Sequence, residues 1–283
     1  MSIANWRARL ASVGYLADDQ VAAAVHLAVS LERPLLVEGP AGVGKTRLAQ
    51  ALAECEGRAL VRLQCYEGLD DTKALYDWNY AKQLLASRTA QGGSLATESL
   101  YTWDYLLERP LLKALRLVPA PVLLIDEVER ADAAFEALLL EFLGEFQITI
   151  PELGTVSAAE RPRVVLTSNR TRDLSDALRR RCLYCWLDYP DRERELAIIH
   201  QAVPELPQRL ADALVDAVGQ LRRLQLLKPP GVAESLDWAR ALAGLGRDTL
   251  TDDEWEWTLG TVIKTREDRE IVLQSGLRAL WRK

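Results

Sequence analysis

The sequence predicts an α/β fold: a mostly parallel five-stranded sheet sandwiched by helices, followed by an α-helical domain. Three observations carry this. Short apolar runs without alternation, such as "RPLLVEG", "PVLLIDE" and "RVVLTSN", read as strands buried on both faces. Helical patterns lie between them, as the crossovers of a parallel sheet require. Past "YPDR" the strand signals stop and only helical patterns remain.

In chain order, "DDQVAAAVHLAVSLE" is an amphipathic helix opened by an aspartate cap. "RPLLVEG" is the first strand, "KTRLAQALAEC" a helix and "RALVRLQC" the second strand. "PVLLIDE", "RVVLTSN" and "CLYCWLDY" complete five. The helical part reads as "RERELAIIHQAV", "LPQRLADALVDAVGQLRRLQLL", "VAESLDWARALAGL" and "DDEWEWTLGTVIKTREDREIVLQSGLRAL". The loop signals "KPPG" and "GLGRD" punctuate it. Tyr189-Pro190 is the natural hinge, giving domains 1–189 and 190–283. Two insertions are expected in the first, near 66–103 and 145–162. The polar, Gly-containing "ASRTAQGGSLATES" (86–99) reads as a mobile loop, and "GEFQITIPELGTVSAAERP" as a β-hairpin with Pro151 and Gly154 at its turn.

Composition bounds the function. Hydrophobic residues make up 49% and charged residues 27%, enough for a sizeable core. A net charge of -6 gives no general pull toward nucleic acid or an anionic membrane. No apolar run approaches the ~20 residues of a membrane span, and the N-terminus lacks a signal-peptide centre; a cytoplasmic protein is expected. Cys182 and Cys185 have CxxC spacing, which raises a zinc or redox site. The other cysteines, 55 and 65, are ten apart and there are two histidines, so reduced, partly buried thiols are the better reading.

The strongest chemical signal is "GPAGVGKT": Gly39, Pro40, Ala41, Gly42, Val43, Gly44, Lys45 and Thr46, with Arg47 following. It fits G-x-x-x-x-G-K-[ST] between a strand and a helix. The glycines let backbone N–H groups turn toward phosphates, and the helix offers its positive end to the same anion. Lys45 would reach the β- and γ-phosphates of a bound nucleotide, and the Thr46 hydroxyl would hold Mg²⁺. The bland reading is a Gly-rich turn with a surface lysine.

The second signal is "PVLLIDEVERA", an apolar strand ending in Asp126 and Glu127, where open sheets place ligands. Asp126 would bind Mg²⁺; Glu127 would polarise the attacking water. Asn169, ending "VVLTSN", could hold that water or be a plain strand cap. Then come Arg179, Arg180 and Arg181 in "LSDALRRR". An arginine inserted at a γ-phosphate accelerates phosphoryl transfer by ~10³–10⁵. In a ring of identical subunits such a helix meets the neighbour's nucleotide. The alternative, a solvated cationic helix end favoured by the helix dipole, suits Arg179 best.

The order of these motifs, with "LLIDEVERAD", "LTSN", "LSDALRRR" and a helical lid, resembles the AAA+ ATPases and, within them, the MoxR group. The wording of "GYLADDQVAAAVHLA", "RLQCYEGLDDTKALYDWNYAKQLL", "LERPLLKAL" and "PPGVAESLDWARAL" resembles the CoxD-like branch, associated with carbon monoxide dehydrogenase and related molybdenum hydroxylases. The resemblance implies an ATP-driven remodeller working as a hexameric ring, with a von Willebrand factor A domain partner that recruits a client protein. In this branch the client would be a molybdenum enzyme whose metal centre needs completing. Lys45 and Thr46 then take the Walker A roles, Asp126 and Glu127 Walker B, Asn169 sensor 1, and Arg181, with Arg180 behind it, the arginine finger. The insertions would face the pore or the client. MoxR relatives also carry a lid arginine, sensor 2; here that stretch is "GVAESLDW", with Glu234 and Ser235. Tyr15, in "VGYLA", resembles the segment that covers the adenine, and it also reads as ordinary core.

Two other functions fit the same motifs. A nucleic-acid motor is disfavoured by the acidic balance and by insertions bearing "EGLDD" and "TIPELG". A nucleotide-gated scaffold with little turnover remains open.

Overall fold

The computed structural model describes residues 2–89, 97–246 and 252–276. The chain forms two compact units. One runs through Glu38 and resumes over Thr46–Trp186; the other joins Gly39–Lys45 to the chain from Leu187 onward.

The first unit opens with α1 (Ile3–Ser12) and α2 (Asp19–Ser30). Ser2 and Asp18 cap them by accepting from the Asn5 and Val21 N–H groups. Then follow β1 (Leu35–Glu38), α3 (Lys45–Glu56), β2 (Leu60–Gln64), α4 (Asp71–Ala74), β3 (Tyr76–Trp78), α5 (Tyr80–Thr89), β4 (Leu106–Glu108) and α6 (Pro110–Arg116). Next are β5 (Val122–Asp126), α7 (Ala133–Glu145), β6 (Gln147–Ile150), β7 (Gly154–Ser157), β8 (Arg163–Ser168), α8 (Asp176–Arg181) and β9 (Leu183–Trp186).

Five strands form one parallel sheet in the order β2-β5-β8-β1-β9. Every residue of β1 and β5 is buried, which is why those sequences do not alternate. β2, at an edge, does alternate: Val61 and Leu63 are buried while Leu60 and Arg62 are exposed. Leu36, Leu123, Ile125 and Leu166 of the sheet share a core with Leu111, Leu112 and Leu115 of α6 and Leu139 and Phe142 of α7. Each such side chain contributes about 1.5–3 kcal/mol by burial. Register brings Gln64 beside Asp126 and Glu38 beside Ser168, so the polar strand ends line one edge of the sheet.

Both insertions hold more structure than a loop. β3 and β4 pair antiparallel and frame α5, and Thr97–Leu100 form a 3-10 turn, so the described part of 86–99 is helical. Residues 90–96 of that segment lie outside the described residues. The expected hairpin is β6–β7, with Ile150 opposite Gly154.

The second unit is helical: α9 (Arg192–Ala202), α10 (Gln208–Leu221), α11 (Val232–Gly244), α12 (Asp252–Thr258) and α13 (Arg266–Gln274). Leu210, Leu214, Val218 and Leu221 bury one face of α10, packed with Ile199, Trp238, Leu242 and Trp255. Two helical expectations shorten. α10 ends at Leu221, where the chain tightens into turns in which the Arg223 and Leu224 N–H groups donate to the Gln220 and Leu221 carbonyls. The last long pattern breaks at Gly260 and restarts where Thr265 caps α13 by accepting from Asp268 N–H. Its end, 277–283, lies outside the described residues.

No helix among the described residues is long and apolar enough to cross a membrane. The four cysteines are free thiols. Burial pushes Cys182 up to about 12 and Cys185 up to about 11.

Candidate functional site

The loop Gly39–Lys45 leaves β1 and opens α3. Gly42 (φ 75°) and Gly44 (φ 99°) adopt left-handed backbone that a side chain disfavours, and this turns successive N–H groups to one side. Lys45 is buried, and its ammonium donates to the Gly39 and Pro40 carbonyls at 2.8 and 2.7 Å. Val43 is buried, Pro40 half-buried and Ala41 exposed.

Within the second unit this loop is gripped by the start of α11. The Gly42 carbonyl accepts from the N–H groups of Val232 (2.9 Å) and Ala233 (3.2 Å). Gly231 must lack a side chain, since a β-carbon there would stand 2.7 Å from Gly42 Cα. Where the MoxR resemblance leads one to expect an arginine, Glu234 accepts from Gly231 N–H and caps its own helix. Ser235 is buried and donates to Glu195 at 2.7 Å, and Arg222 holds both oxygens of that carboxylate at 2.6 and 2.8 Å.

In the first unit, Thr46 Oγ1 lies 3.1 and 3.3 Å from the two carboxylate oxygens of Asp126, which is 3% exposed. Thr167 Oγ1 donates to Asp126 Oδ1 at 2.5 Å and accepts from Glu127 N–H at 3.0 Å. That contact fixes Glu127 in left-handed backbone (φ 55°, ψ 50°), a conformation costing about 1 kcal/mol or more for a non-glycine. The Glu127 carboxylate accepts from Gln64 Nε2 and from Arg130, each at 3.0 Å. Arg62 donates to Asp126 Oδ2 at 2.5 Å. Asn169, half-buried just past β8, donates its N–H to the buried Glu129 at 3.0 Å. Burial, then the nearby charges of Asp126, Glu129 and Glu127, pushes the Cys65 thiol up to about 12.

The structure thus brings Thr46, Asp126 and Glu127 together and adds Thr167, Gln64, Arg62 and Arg130, which the sequence reading missed. Thr167 had a signal: it stands two residues before Asn169 on the strand beside Asp126. Other expected residues are engaged elsewhere. The Arg47 guanidinium binds Glu54 at 2.8 Å and the Val13 carbonyl at 2.5 Å. Tyr15 is buried at 7% exposure, its N–H on the Leu10 carbonyl.

The three arginines differ. Arg179 is not the solvated helix end it was expected to be. It is 3.3 Å from the fully buried Glu38, whose other oxygen has Arg170 at 3.7 Å. A carboxylate buried this fully draws the guanidinium inward. Among the described residues, neither Arg180 nor Arg181 pairs its guanidinium with a carboxylate, and both are exposed. Arg181 lies against α7, with Nη1 2.7 Å from where a β-carbon on Gly144 would be.

The donor set suits a hard cation. A hydroxyl and a buried carboxylate converge within 3.1 Å, and oxygen ligands of this kind are what Mg²⁺ takes beside phosphates. The loop N–H groups, Lys45 and the start of α3 suit an anion on the same stretch of chain.

Sequence comparison gives this set its class. The family model described as AAA domain (dynein-related subfamily) matches residues 34–182, more than half of the chain. The chain belongs to this family. An uncharacterized protein of Staphylococcus saprophyticus is 24% identical over 216 residues, 74% of each chain. The gas vesicle ATPase GvpN of Haloferax mediterranei is 25% identical over 199 residues, 67% of this chain and 56% of its own. A variant of Thermotoga maritima RuvB is 19% identical with a TM-score of 0.50, covering 92% of this chain and 69% of its own. That last likeness concerns the fold alone.

Proposed function

We propose that this chain is a Mg²⁺-dependent ATPase whose turnover drives remodelling of a protein client. The observation that carries this reading is the convergence of Thr46 and Asp126 at 3.1 Å with Glu127 fixed beside them by Thr167. Thr46 and Asp126 would hold Mg²⁺, which supplies charge neutralisation on the phosphates. Lys45 and the loop N–H groups bind the β- and γ-phosphates. Glu127 takes a proton from the attacking water at its carboxylate, and Asn169 orients that water. The presence of a glutamate after Asp126 favours turnover over a nucleotide-gated scaffold.

Assembly into a hexameric ring places Arg181, with Arg180 as second candidate, at a neighbour's γ-phosphate. Supporting this, both are exposed without a carboxylate partner among the described residues, while Arg179 is held by Glu38. The client class follows the wording shared with the MoxR group and its CoxD-like branch: a molybdenum hydroxylase, recruited through a von Willebrand factor A domain protein, acted on in the cytoplasm without nucleic acid.

The test is ATPase rate against protein concentration for the wild type, Arg181→Ala, Glu127→Gln and their equimolar mix. The reading predicts a rate per subunit that rises with concentration, two inactive single variants and recovery in the mix. A fully active Arg181→Ala, or a rate independent of assembly, contradicts the ring.

A further inference from the structure

Arg62 stands on the edge strand β2, two residues before Gln64 and on the same face of the sheet. Its side chain is 53% exposed, yet it turns back onto a carboxylate that is almost wholly buried. Nη2 donates at 2.5 Å both to Asp126 Oδ2 and to Gln64 Oε1. Asp126 Oδ1 is already taken by the Thr167 hydroxyl, so Oδ2 is the oxygen Arg62 controls.

We infer that Arg62 is a gate on the metal site, neutralising Asp126 until a divalent cation takes the same oxygen. This rests on the reading of Asp126 as a metal ligand. Two cations cannot share one carboxylate oxygen without strong mutual repulsion, so Arg62 swings out as the metal is held. Release is easy because half of the side chain already meets water.

The same guanidinium ties the site together. It holds Gln64 Oε1, and Gln64 Nε2 in turn holds Glu127 Oε2. When Arg62 leaves Asp126, the Gln64 amide loses the contact that fixes its orientation, and Glu127 loses a rigid donor. Metal capture and release of the water-activating carboxylate are thereby coupled through one arginine.

The experiment measures Mn²⁺ binding to the chain by loss of the free-ion EPR signal, with and without a non-hydrolysable ATP analogue. It compares wild type, Arg62→Gln, Arg62→Lys and Asp126→Asn, with thermal melts to establish that each is folded. Arg62→Gln is expected to bind Mn²⁺ roughly tenfold more tightly without nucleotide, the equivalent of one charge-assisted hydrogen bond. Arg62→Lys, which keeps the charge and loses the fork, falls between. Equal or weaker binding by Arg62→Gln, with Asp126→Asn abolishing binding, overturns the gate and leaves the metal site standing. Undiminished binding by Asp126→Asn overturns the metal reading itself.

Discussion

Thr46 and Asp126, eighty residues apart in sequence, meet with hydroxyl and carboxylate 3.1 Å apart. The meeting follows from topology. Thr46 is the second residue of α3, and Asp126 ends β5, two strands from β1 in the sheet. On the proposed reading this oxygen pair brackets a divalent cation, and Thr46→Val removes half of it. Mg²⁺-dependent binding of a fluorescent ATP analogue should weaken at least roughly tenfold, with metal-free binding little changed. Titrations with and without EDTA separate the two; an equal loss in both would mean that Thr46 only shapes the loop.

Gly231 is predicted to be as sensitive as the loop it touches. Its missing side chain lets the start of α11 reach Gly42, and Gly231→Ala would put a methyl 2.7 Å from backbone. The variant should lose nucleotide affinity and 1–3 kcal/mol or so of stability, as overpacked sites do. Gly244→Ala is the control: it ends α11 with open space around it and should stabilise by a few tenths to about 1 kcal/mol. Urea unfolding of both variants reads the contrast.

Arg179 and Arg180 should part company. Arg179→Ala removes the nearer of the two guanidiniums beside the buried Glu38, leaving Arg170 at 3.7 Å. Loss of a partner to a buried charge costs ~3–5 kcal/mol when both groups are buried, and roughly 1–3 here because Arg179 is 31% exposed. Arg180→Ala should change stability by about 0.5 kcal/mol or less. Equal unfolding midpoints for the two would remove the Glu38 anchor from the account.

Thiol chemistry supplies a pH prediction. Burial pushes the Cys65 and Cys182 thiols up to about 12 in the folded chain, against about 8.5 for a free thiol. At pH 8 their thiolate fraction is about one in 10⁴, so iodoacetamide should modify them only after denaturation. A folded pKa above the unfolded value means that this contribution to stability is complete below about pH 8.5 and is lost as pH rises toward 12. Rapid native-state labelling of Cys65 or Cys182, read by mass spectrometry, would contradict the burial.

How much was legible in the sequence depended on whether a signal was local. The loop 39–46 and the strand ending in Asp126 each carry their pattern within a few consecutive residues, and the sheet follows from five apolar runs. The partners of Glu127 were hidden because they arrive by register: Gln64 pairs beside Asp126 across β2 and β5, and Thr167 reaches over from β8. Arg179 was misread for the same reason, since Glu38 lies 141 residues earlier. The β3–β4 pair escaped because three-residue strands are too short for alternation to be seen.

The central claim is that Glu127 activates water at a Mg²⁺–ATP site. Phosphate release by wild type and Glu127→Gln, measured beside ATP affinity at matched Mg²⁺, tests it most directly. The account predicts hydrolysis by the wild type that EDTA abolishes, and a Glu127→Gln variant that binds ATP as tightly yet turns over at least roughly 10²-fold more slowly. Undiminished turnover by Glu127→Gln would contradict it.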